Sequence, residues 1–348
     1  MIVGAKRGTQ LHTNRFNEID FLRALACVMV VLFHYTYRGH VGGWVPVAAP
    51  EFVQSISQFG YVGVHLFFAI SGFVIFMSAK SASPRGFVAS RAARLYPAYW
   101  ASIIITVMAV RLGNMPELTV SWRDAAINVT MLTHLLGASY VDGAYWSLAV
   151  ELHFYALIFV LIRLNWLHRI EWVMALWLAL CAIDLVRPIY PLQFWLIANW
   201  APFFCLGITS YLLRTEPVTQ KRIALFVIAA LLCIISGVKK TLNSPITDQI
   251  IVGLLMTCIV GIFTLISLGR FRLQASPILY WAGALTYPIY LIHEYLGYTL
   301  LTTTQNSSWP YGLSLAATLS VILLISYFVH TKIERVYATK LRRIIQGG

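Results

Sequence analysis

Three ionisable side chains interrupt long apolar stretches of the sequence: Arg23 and His34 in the stretch 19–37, and Glu151 in the stretch 144–163. A charged group inside a bilayer costs several kcal/mol, so such residues generally mark a functional site. Eleven positions separate Arg23 from His34, which places both on one face of a helix, about 16 Å apart along its axis. Snorkelling towards the membrane surface would explain Arg23 equally well, and a buried hydrogen bond between helices is the simpler alternative for His34.

An imidazole and a carboxylate at one depth would form an acid–base pair. Glu151 lies about 10 Å from the outer end of its stretch, and His34 lies at a similar depth in the first stretch. We therefore predict that His34 acts as a general base, and that Glu151 orients its ring and stabilises the protonated form. His293 either lines the same cavity or packs in the core, and His153 and Glu294 are secondary candidates.

Two arginines lie in the short segment that precedes the stretch 95–112, at the predicted inner edge. Arg91 and Arg94 are three positions apart, so on a helical turn they share a face. Their guanidinium groups match the oxygens of a phosphate, although the excess of basic residues in cytoplasmic loops explains such a pair equally well. Ser71 and Gly72, in the second apolar stretch, would permit the close approach of another helix or of a slender ligand.

A membrane-spanning bundle is needed to position these residues. Of the 348 residues, 59% are hydrophobic and 11% are charged, whereas soluble proteins carry about 25% charged residues. This composition excludes an ordinary cytosolic enzyme, a disordered protein and a secreted disulfide scaffold. Apolar stretches of about 20 residues predict an all-α polytopic membrane protein, a bundle of about ten transmembrane helices. Their limits are roughly 19–37, 61–79, 95–112, 144–163, 171–187, 192–213, 223–238, 249–269, 279–301 and 311–331.

The distribution of basic residues predicts that both termini are cytoplasmic. In this orientation the inner segments hold nineteen of the 26 lysines and arginines, and the outer segments hold six, in line with the positive-inside rule. The net charge of +13 therefore has a membrane explanation, and no nucleic-acid partner is predicted. In the outer connection 113–143, the moderately apolar part 122–136 is expected to lie in the interface or to dip into it. The five cysteines all fall in apolar stretches and are predicted to be buried core residues.

Five sequence motifs, taken in this order, resemble membrane-bound acyltransferase family 3. They are Arg23 followed by His34, GVHLFFAISGF at 63–73, RAARLYP at 91–97, WSLAVE at 146–151 with Phe154 and Tyr155, and TYPIYLIH at 286–293. The resemblance extends from about residue 16 to about residue 335. It implies a single transmembrane acyltransferase domain over 1–348, without a fused soluble esterase-like domain.

The resemblance implies an enzyme of the bacterial cytoplasmic (inner) membrane. Members of the family move an acyl group, commonly acetyl, from cytoplasmic acyl-coenzyme A to a hydroxyl of an extracytoplasmic carbohydrate. Such acceptors, which can be lipid-linked, include the O-antigen of lipopolysaccharide, exopolysaccharide and peptidoglycan. By the resemblance, the catalytic residues are His34, Arg23 and Glu151. The expected acyl-coenzyme A contacts are Arg91, Arg94, Ser71 and Gly72.

Further side chains are candidates for binding the acceptor or stabilising a tetrahedral oxyanion, and the sequence does not rank them: Trp146, Ser147, Tyr155 and His293, together with Ser71. Trp146 would stack on a sugar ring or belong to the aromatic belt of the interface. An acyl-histidine intermediate is a second mechanism open to these residues. No His, Asp or Glu group has ligand spacing, so no metal is predicted, and acyl-coenzyme A is expected as a donor substrate.

A secondary transporter or exporter is the competing class of function, because a bundle with buried Arg, His and Glu also suits coupled transport. The sequence shows neither an inverted repeat nor a pair of broken helices, which favours the enzyme. Binding or hydrolysis of acetyl-coenzyme A by the purified protein would separate the two classes, since a transporter is expected to show neither.

Overall fold

The computed structural model describes residues 16–347, and all the regular secondary structure within that range is helical. The ten long helices of this range are α1 (Asn17–Phe33), α2 (Val62–Ala79), α3 (Pro84–Leu112), α4 (Tyr145–Arg163), α5 (Ile170–Val186), α6 (Ala201–Thr215), α7 (Gln220–Lys239), α8 (Ile246–Ser267), α9 (Pro277–Asn306) and α10 (Tyr311–Phe328). Shorter helices are Gly39–Val41, Glu51–Ser57, Trp122–Asn128, Tyr190–Trp195 and Arg335–Gln346. The predicted all-α polytopic bundle is confirmed.

Seven helical segments of the described range are long and apolar enough to cross a membrane, as in an integral multi-pass membrane protein. They contain α1, α2, α3, α4, α7, α8 and α10. The other three long helices are α5 and α6, with 17 and 15 residues, and α9, which carries many polar side chains. The count of ten spans and the cytoplasmic position of both termini therefore stay predictions. Lys6, Arg7 and Arg15, three of the basic residues assigned to the inner side, lie outside the described residues.

Helix α3 begins well before the predicted limit at residue 95. Ser83 accepts a hydrogen bond from the Gly86 N–H, and Pro84 occupies the first turn, where its missing N–H costs nothing. Arg91 and Arg94 therefore lie in the first half of this long helix and not in a separate inner loop.

The predicted stretch 192–213 is divided in two. A short helix, Tyr190–Trp195, precedes α6, and between them Ile197 adopts a positive φ of 46°. Pro202 stands in the first turn of α6, where it has no N–H to continue a helix from the preceding residues. The break was not predicted.

The connection 113–143 folds back along α3, and its predicted position in the membrane interface stays a prediction. The Tyr96 hydroxyl donates to the Thr130 carbonyl at 3.0 Å, and the Trp100 indole donates to the Val129 carbonyl at 3.0 Å. Tyr96 and Trp100 lie near the middle of α3, so the connection reaches far below the outer end of that helix. Helix α4, which follows it, begins inside the bundle and not at the outer surface.

Helix α1 continues into a π-helical turn, His34–Arg38. Such wide turns are rare and are found mainly as single-turn bulges at functional sites. A second π-helical turn, Val329–Glu334, joins α10 to the C-terminal helix Arg335–Gln346. The first turn contains His34, and the second contains His330 and Glu334.

Helices α2 and α6 pack with their backbones in contact. Gly72 faces the backbone of Phe204, and Gly207 faces the carbonyl of Ala69. A Cβ atom at either glycine would overlap these backbone atoms. Gly72 therefore serves the approach of another helix, one of the two roles considered for it.

We predict that Gly207→Ala destabilises the protein, because the added methyl group forces α2 and α6 apart. Overpacking of this kind costs about 1–3 kcal/mol. The measurement is the apparent Tm of the purified protein in detergent. Gly261→Ala is the matched control, since Gly261 also lies in a helix but faces open space. Equal melting temperatures for the two variants would contradict the close contact.

Candidate active site

A cavity of about 110 Å³ lies between α1, α2, α3, α4 and α9. Most of the polar residues predicted to form the site line it: Arg23, Ser71, Arg91, Arg94, Ser147, Glu151 and Tyr155. Apolar side chains such as Val64, Phe67 and Phe68 form the rest of the wall. The cavity is therefore narrow, with three arginines and one glutamate among its lining residues.

The two arginines of α3 have different partners. Arg91 donates to the Ser90 hydroxyl at 2.9 Å, while its buried Nε has no hydrogen-bond partner within residues 16–347. Arg94 forms an ion pair with the buried Glu334 and lies 5.3 Å from the centre of the Tyr287 ring. Arg91 thus keeps a free N–H group, whereas Arg94 is already neutralised.

Glu334 is itself held in place from the other side. Its second carboxylate oxygen lies 2.9 Å from Nδ1 of His330, one helical turn earlier. The cation of Arg94 is therefore bound to a buried acid that the C-terminal part of the chain supplies.

Arg23 and Glu151 lie together on the wall of the cavity. Arg23 is 3.8 Å from the carboxylate of Asp20, on its own helix. Glu151 accepts a hydrogen bond of 2.7 Å from the Ser71 hydroxyl. Ser71 is thus a cavity residue, as predicted, and its nearest polar partner is Glu151.

A hydroxyl pair lies at the end of the cavity nearest to His293. The hydroxyl oxygens of Ser147 and Tyr290 are 2.5 Å apart. The Tyr290 carbonyl accepts a hydrogen bond of 2.8 Å from Nδ1 of His293, and the two rings are 5.5 Å apart. Tyr290 therefore stands between the cavity and the histidines.

His34 and His293 are in direct contact across the interface of α1 and α9. Nδ1 of His34 lies 2.9 Å from the Val30 carbonyl and 3.1 Å from Nε2 of His293. A carbonyl only accepts, so Nδ1 of His34 must carry the proton. In the neutral ring, Nε2 of His34 then has a free lone pair, which a general base requires.

Glu294 faces that free nitrogen. Its carboxylate lies 3.5 Å from Nε2 of His34, and both side chains are largely buried. Glu151 makes no ion pair with His34 and is bonded to Ser71. The predicted pairing of His34 with Glu151 is therefore wrong, and the carboxylate beside His34 is Glu294.

The error has a physical cause in the depth of α4. The predicted depth of Glu151 in the membrane assumes that its helix starts at the outer surface. Ser147, in the first turn of α4, already contacts Tyr290, which lies near the middle of the long helix α9. Glu151, one turn further inward, consequently reaches the level of Arg23 and not that of His34.

Asp142 supports this outer end from the connection before α4. Its two carboxylate oxygens accept hydrogen bonds of 3.0 Å from the N–H groups of Ala144 and Tyr295. Burial raises the pKa of Asp142 to about 7, and the two N–H donors oppose that rise. Glu294, next to Tyr295 in the chain, is thereby fixed close to the start of α4.

Four predicted site residues do not line the cavity: Gly72, Trp146, His34 and His293. Gly72 faces α6, as described above, and Trp146 is 5.1 Å from the ring of Trp200 and 6.3 Å from that of Phe68. Trp146 packs against these rings and does not line the cavity. Tyr155 does line it and lies 6.0 Å from the guanidinium of Arg91.

Three functional candidates were missed or undervalued by sequence reasoning. Tyr290 belongs to the TYPIYLIH motif, one helical turn before His293, so its position was a usable signal. Glu294 adjoins His293 and was ranked as secondary. Glu334 had no signal, since only the fold brings it to Arg94. Within residues 16–347 no group of three or more His, Cys, Asp or Glu side chains is placed to hold a metal ion.

Most of the chain is similar to a known protein family. Residues 16–330 match a family model described as an acyltransferase domain. The peptidoglycan O-acetyltransferase OatA of Listeria monocytogenes is 26% identical over 381 residues, covering 95% of this chain and 57% of that protein. The exopolysaccharide production protein ExoZ of Rhizobium meliloti is 30% identical over 105 residues, covering 28% of this chain and 32% of that protein. The chain thus spans less than two thirds of these relatives, and no solved structure matches it.

We predict that small thiol reagents reach position 71 through the cavity. Cys258 is exposed, unlike the buried core residue expected from the sequence, so the test uses a Cys258→Ser background. In that background Ser71→Cys should be modified by a methanethiosulfonate reagent, as measured by intact mass. The control is Ser210→Cys, a fully buried position on α6 outside the cavity, which should stay unmodified. Equal modification at both positions would contradict an accessible cavity.

Proposed function

The chain belongs to membrane-bound acyltransferase family 3, and from this premise we propose that it transfers an acyl group, most simply acetyl, from acyl-coenzyme A to a hydroxyl of an extracytoplasmic carbohydrate. The observation that supports this proposal is the arrangement of the site. The unpaired Nε–H of Arg91 lies on one side of the Ser147–Tyr290 hydroxyl pair, and a histidine with a free ring nitrogen lies on the other. We place the enzyme in the cytoplasmic (inner) membrane of a bacterium.

The donor would bind with its nucleotide at the inner end of the cavity. Coenzyme A is too anionic to enter lipid, so its phosphates should remain at the basic edge. Arg91 is the first contact, because its Nε lacks a partner and a guanidinium donates to phosphate in a fixed geometry. Arg94 would join only by exchanging Glu334 for a phosphate oxygen.

The narrow cavity suits the pantetheine arm of the donor. The arm would pass Ser71 and Glu151 and bring the thioester carbonyl to the hydroxyl pair of Ser147 and Tyr290. Hydroxyl donors aimed at a developing oxyanion lower the barrier for acyl transfer. Ser147 is an oxyanion candidate from the sequence, and its hydroxyl contact with Tyr290 makes Tyr290 a second candidate.

In the acyl transfer, the free ring nitrogen of His34 would act as the general base. The acceptor hydroxyl gives its proton to Nε2, and its oxygen attacks the carbonyl carbon of the thioester. The carbon–sulfur bond then breaks, and the coenzyme A thiolate takes the proton back from the imidazolium. Glu294, 3.5 Å from Nε2, stabilises the imidazolium in between.

The acceptor would reach His34 from the opposite side to the donor. OatA is named for peptidoglycan and ExoZ for exopolysaccharide, and on this basis we propose a surface glycan or its lipid-linked precursor as the acceptor. Mass spectrometry of surface glycans from cells with and without this protein would identify the modified sugar.

We predict that Arg91→Ala weakens the binding of acetyl-coenzyme A to the purified protein about tenfold or more. A hydrogen bond to a charged group contributes about 1.5–3 kcal/mol, and 1.4 kcal/mol corresponds to a factor of ten. The measurement is isothermal titration calorimetry in detergent. Arg85→Ala is the control, since Arg85 is an exposed arginine earlier on the same helix and does not line the cavity. If both variants bind acetyl-coenzyme A as tightly as the unmodified protein, Arg91 only reflects the excess of basic residues on the cytoplasmic side.

We also predict that His34→Ala lowers turnover by about 10²–10⁴-fold while donor affinity is retained, as expected for the loss of a general base. Glu294→Gln should lower kcat by a smaller factor without changing donor affinity, because it acts through His34. The double variant should be little slower than His34→Ala, since residues acting as a unit are not additive.

His153→Ala is the matched control for the histidine substitution. Its Nδ1 lies 2.8 Å from the Ala149 carbonyl, the same local contact that His34 makes with Val30. Its ring lies next to those of His134, Phe194 and Trp195, away from His293 and Glu294. The control should keep its activity. Full activity of His34→Ala would contradict this mechanism and would favour the secondary transporter as the function.

A further inference from the structure

An apolar groove of about 470 Å³ separates α3 from the C-terminal helix, outside the site described above. On α3 it is lined by Pro97, Trp100, Ala101 and Ile104. These positions follow the spacing of one helix face. Trp100 is 41% exposed and Ile104 is 65% exposed, so residues 16–347 leave much of this face uncovered.

The opposite wall has the same periodicity. Ile333, Tyr337, Leu341 and Ile344 line the groove from the C-terminal part of the chain. Ile344 is 74% exposed and Tyr337 is 52% exposed. An open groove with two apolar walls fits a hydrocarbon chain.

Lys340 lies on this apolar wall and, among residues 16–347, is the one charged residue that lines the groove. Its ammonium group is 5.2 Å from the centre of the Tyr337 ring, and no ion pair joins it to a carboxylate of residues 16–347. A cation on the apolar side of an amphipathic helix is complementary to a ligand with an apolar chain and an anionic headgroup.

The charge of the C-terminal helix agrees with this reading. Arg335–Gln346 contains four basic residues and no acidic one: Arg335, Lys340, Arg342 and Arg343. A basic amphipathic helix on the cytoplasmic side of a membrane attracts anionic lipid headgroups. The predicted topology places this helix on that side.

We propose that the groove binds one anionic phospholipid of the cytoplasmic leaflet, such as phosphatidylglycerol. The lipid phosphate lies at Lys340, and an acyl chain follows the groove past Trp100 towards Ile104. A zwitterionic lipid would fill the same groove, but its headgroup has no net charge to offer to Lys340.

Quenching of Trp100 fluorescence by brominated lipids tests the proposal. The protein is reconstituted with brominated phosphatidylglycerol or with brominated phosphatidylcholine at equal fractions, and the difference between wild type and Trp100→Phe isolates the signal of Trp100. One lysine near the surface is worth about fivefold in lipid affinity, so we expect about fivefold stronger association of phosphatidylglycerol. Lys340→Gln should abolish that preference.

Arg335→Gln is the matched control, because it removes one charge from the same helix at a position that does not line the groove. It should keep the preference for phosphatidylglycerol. Retention of bound lipid in native mass spectrometry gives a second readout, which does not depend on the Trp100 substitution. Equal association of the two lipids in wild type, or an unchanged preference in Lys340→Gln, would overturn the proposal.

Discussion

His34 and His293 share one contact across the interface of α1 and α9, and this contact determines which ring nitrogen of His34 is free. Tyr35, the next residue, donates a hydrogen bond of 2.7 Å to the His293 carbonyl, so the two helices are joined twice at the same level. Gly297 makes room for the Tyr35 ring. With Nδ1 occupied, the free ring nitrogen faces Glu294, so the orientation of the imidazole is set by packing.

Charge is distributed unevenly along the cavity. The arginines of α3 lie at one end, and the carboxylates of Glu294 and Asp142 lie beyond the other. In a low-dielectric layer such a separation is costly unless each charge has a partner. Arg94 has Glu334, and Asp142 has two backbone N–H groups. Arg91 alone among these keeps an unpaired N–H, which is why a ligand anion fits best there.

Much of this architecture could be predicted from the sequence, because apolar length and basic loops are local signals. The long apolar helices were accessible in this way. The cavity positions of Ser71, Arg91 and Ser147 were predictable from their motifs and the family resemblance. The partner of His34 was not, because it depends on the depth at which each helix starts. Glu151 was assigned to His34 by counting from a surface that α4 does not reach. Glu334, far away in the chain, became visible only through its contact with Arg94.

The π-helical turn His34–Arg38 has a consequence for how this chain can change during evolution. Each residue of a helix turns the chain by about 100°, so a one-residue deletion in this turn would tighten it and rotate everything that follows. Trp44, which stacks on Tyr298 at 5.3 Å, would then lose its place above the histidines. The number of residues in this turn is therefore constrained in addition to their identity, and a gap in this segment would mark a relative whose outer site is built differently.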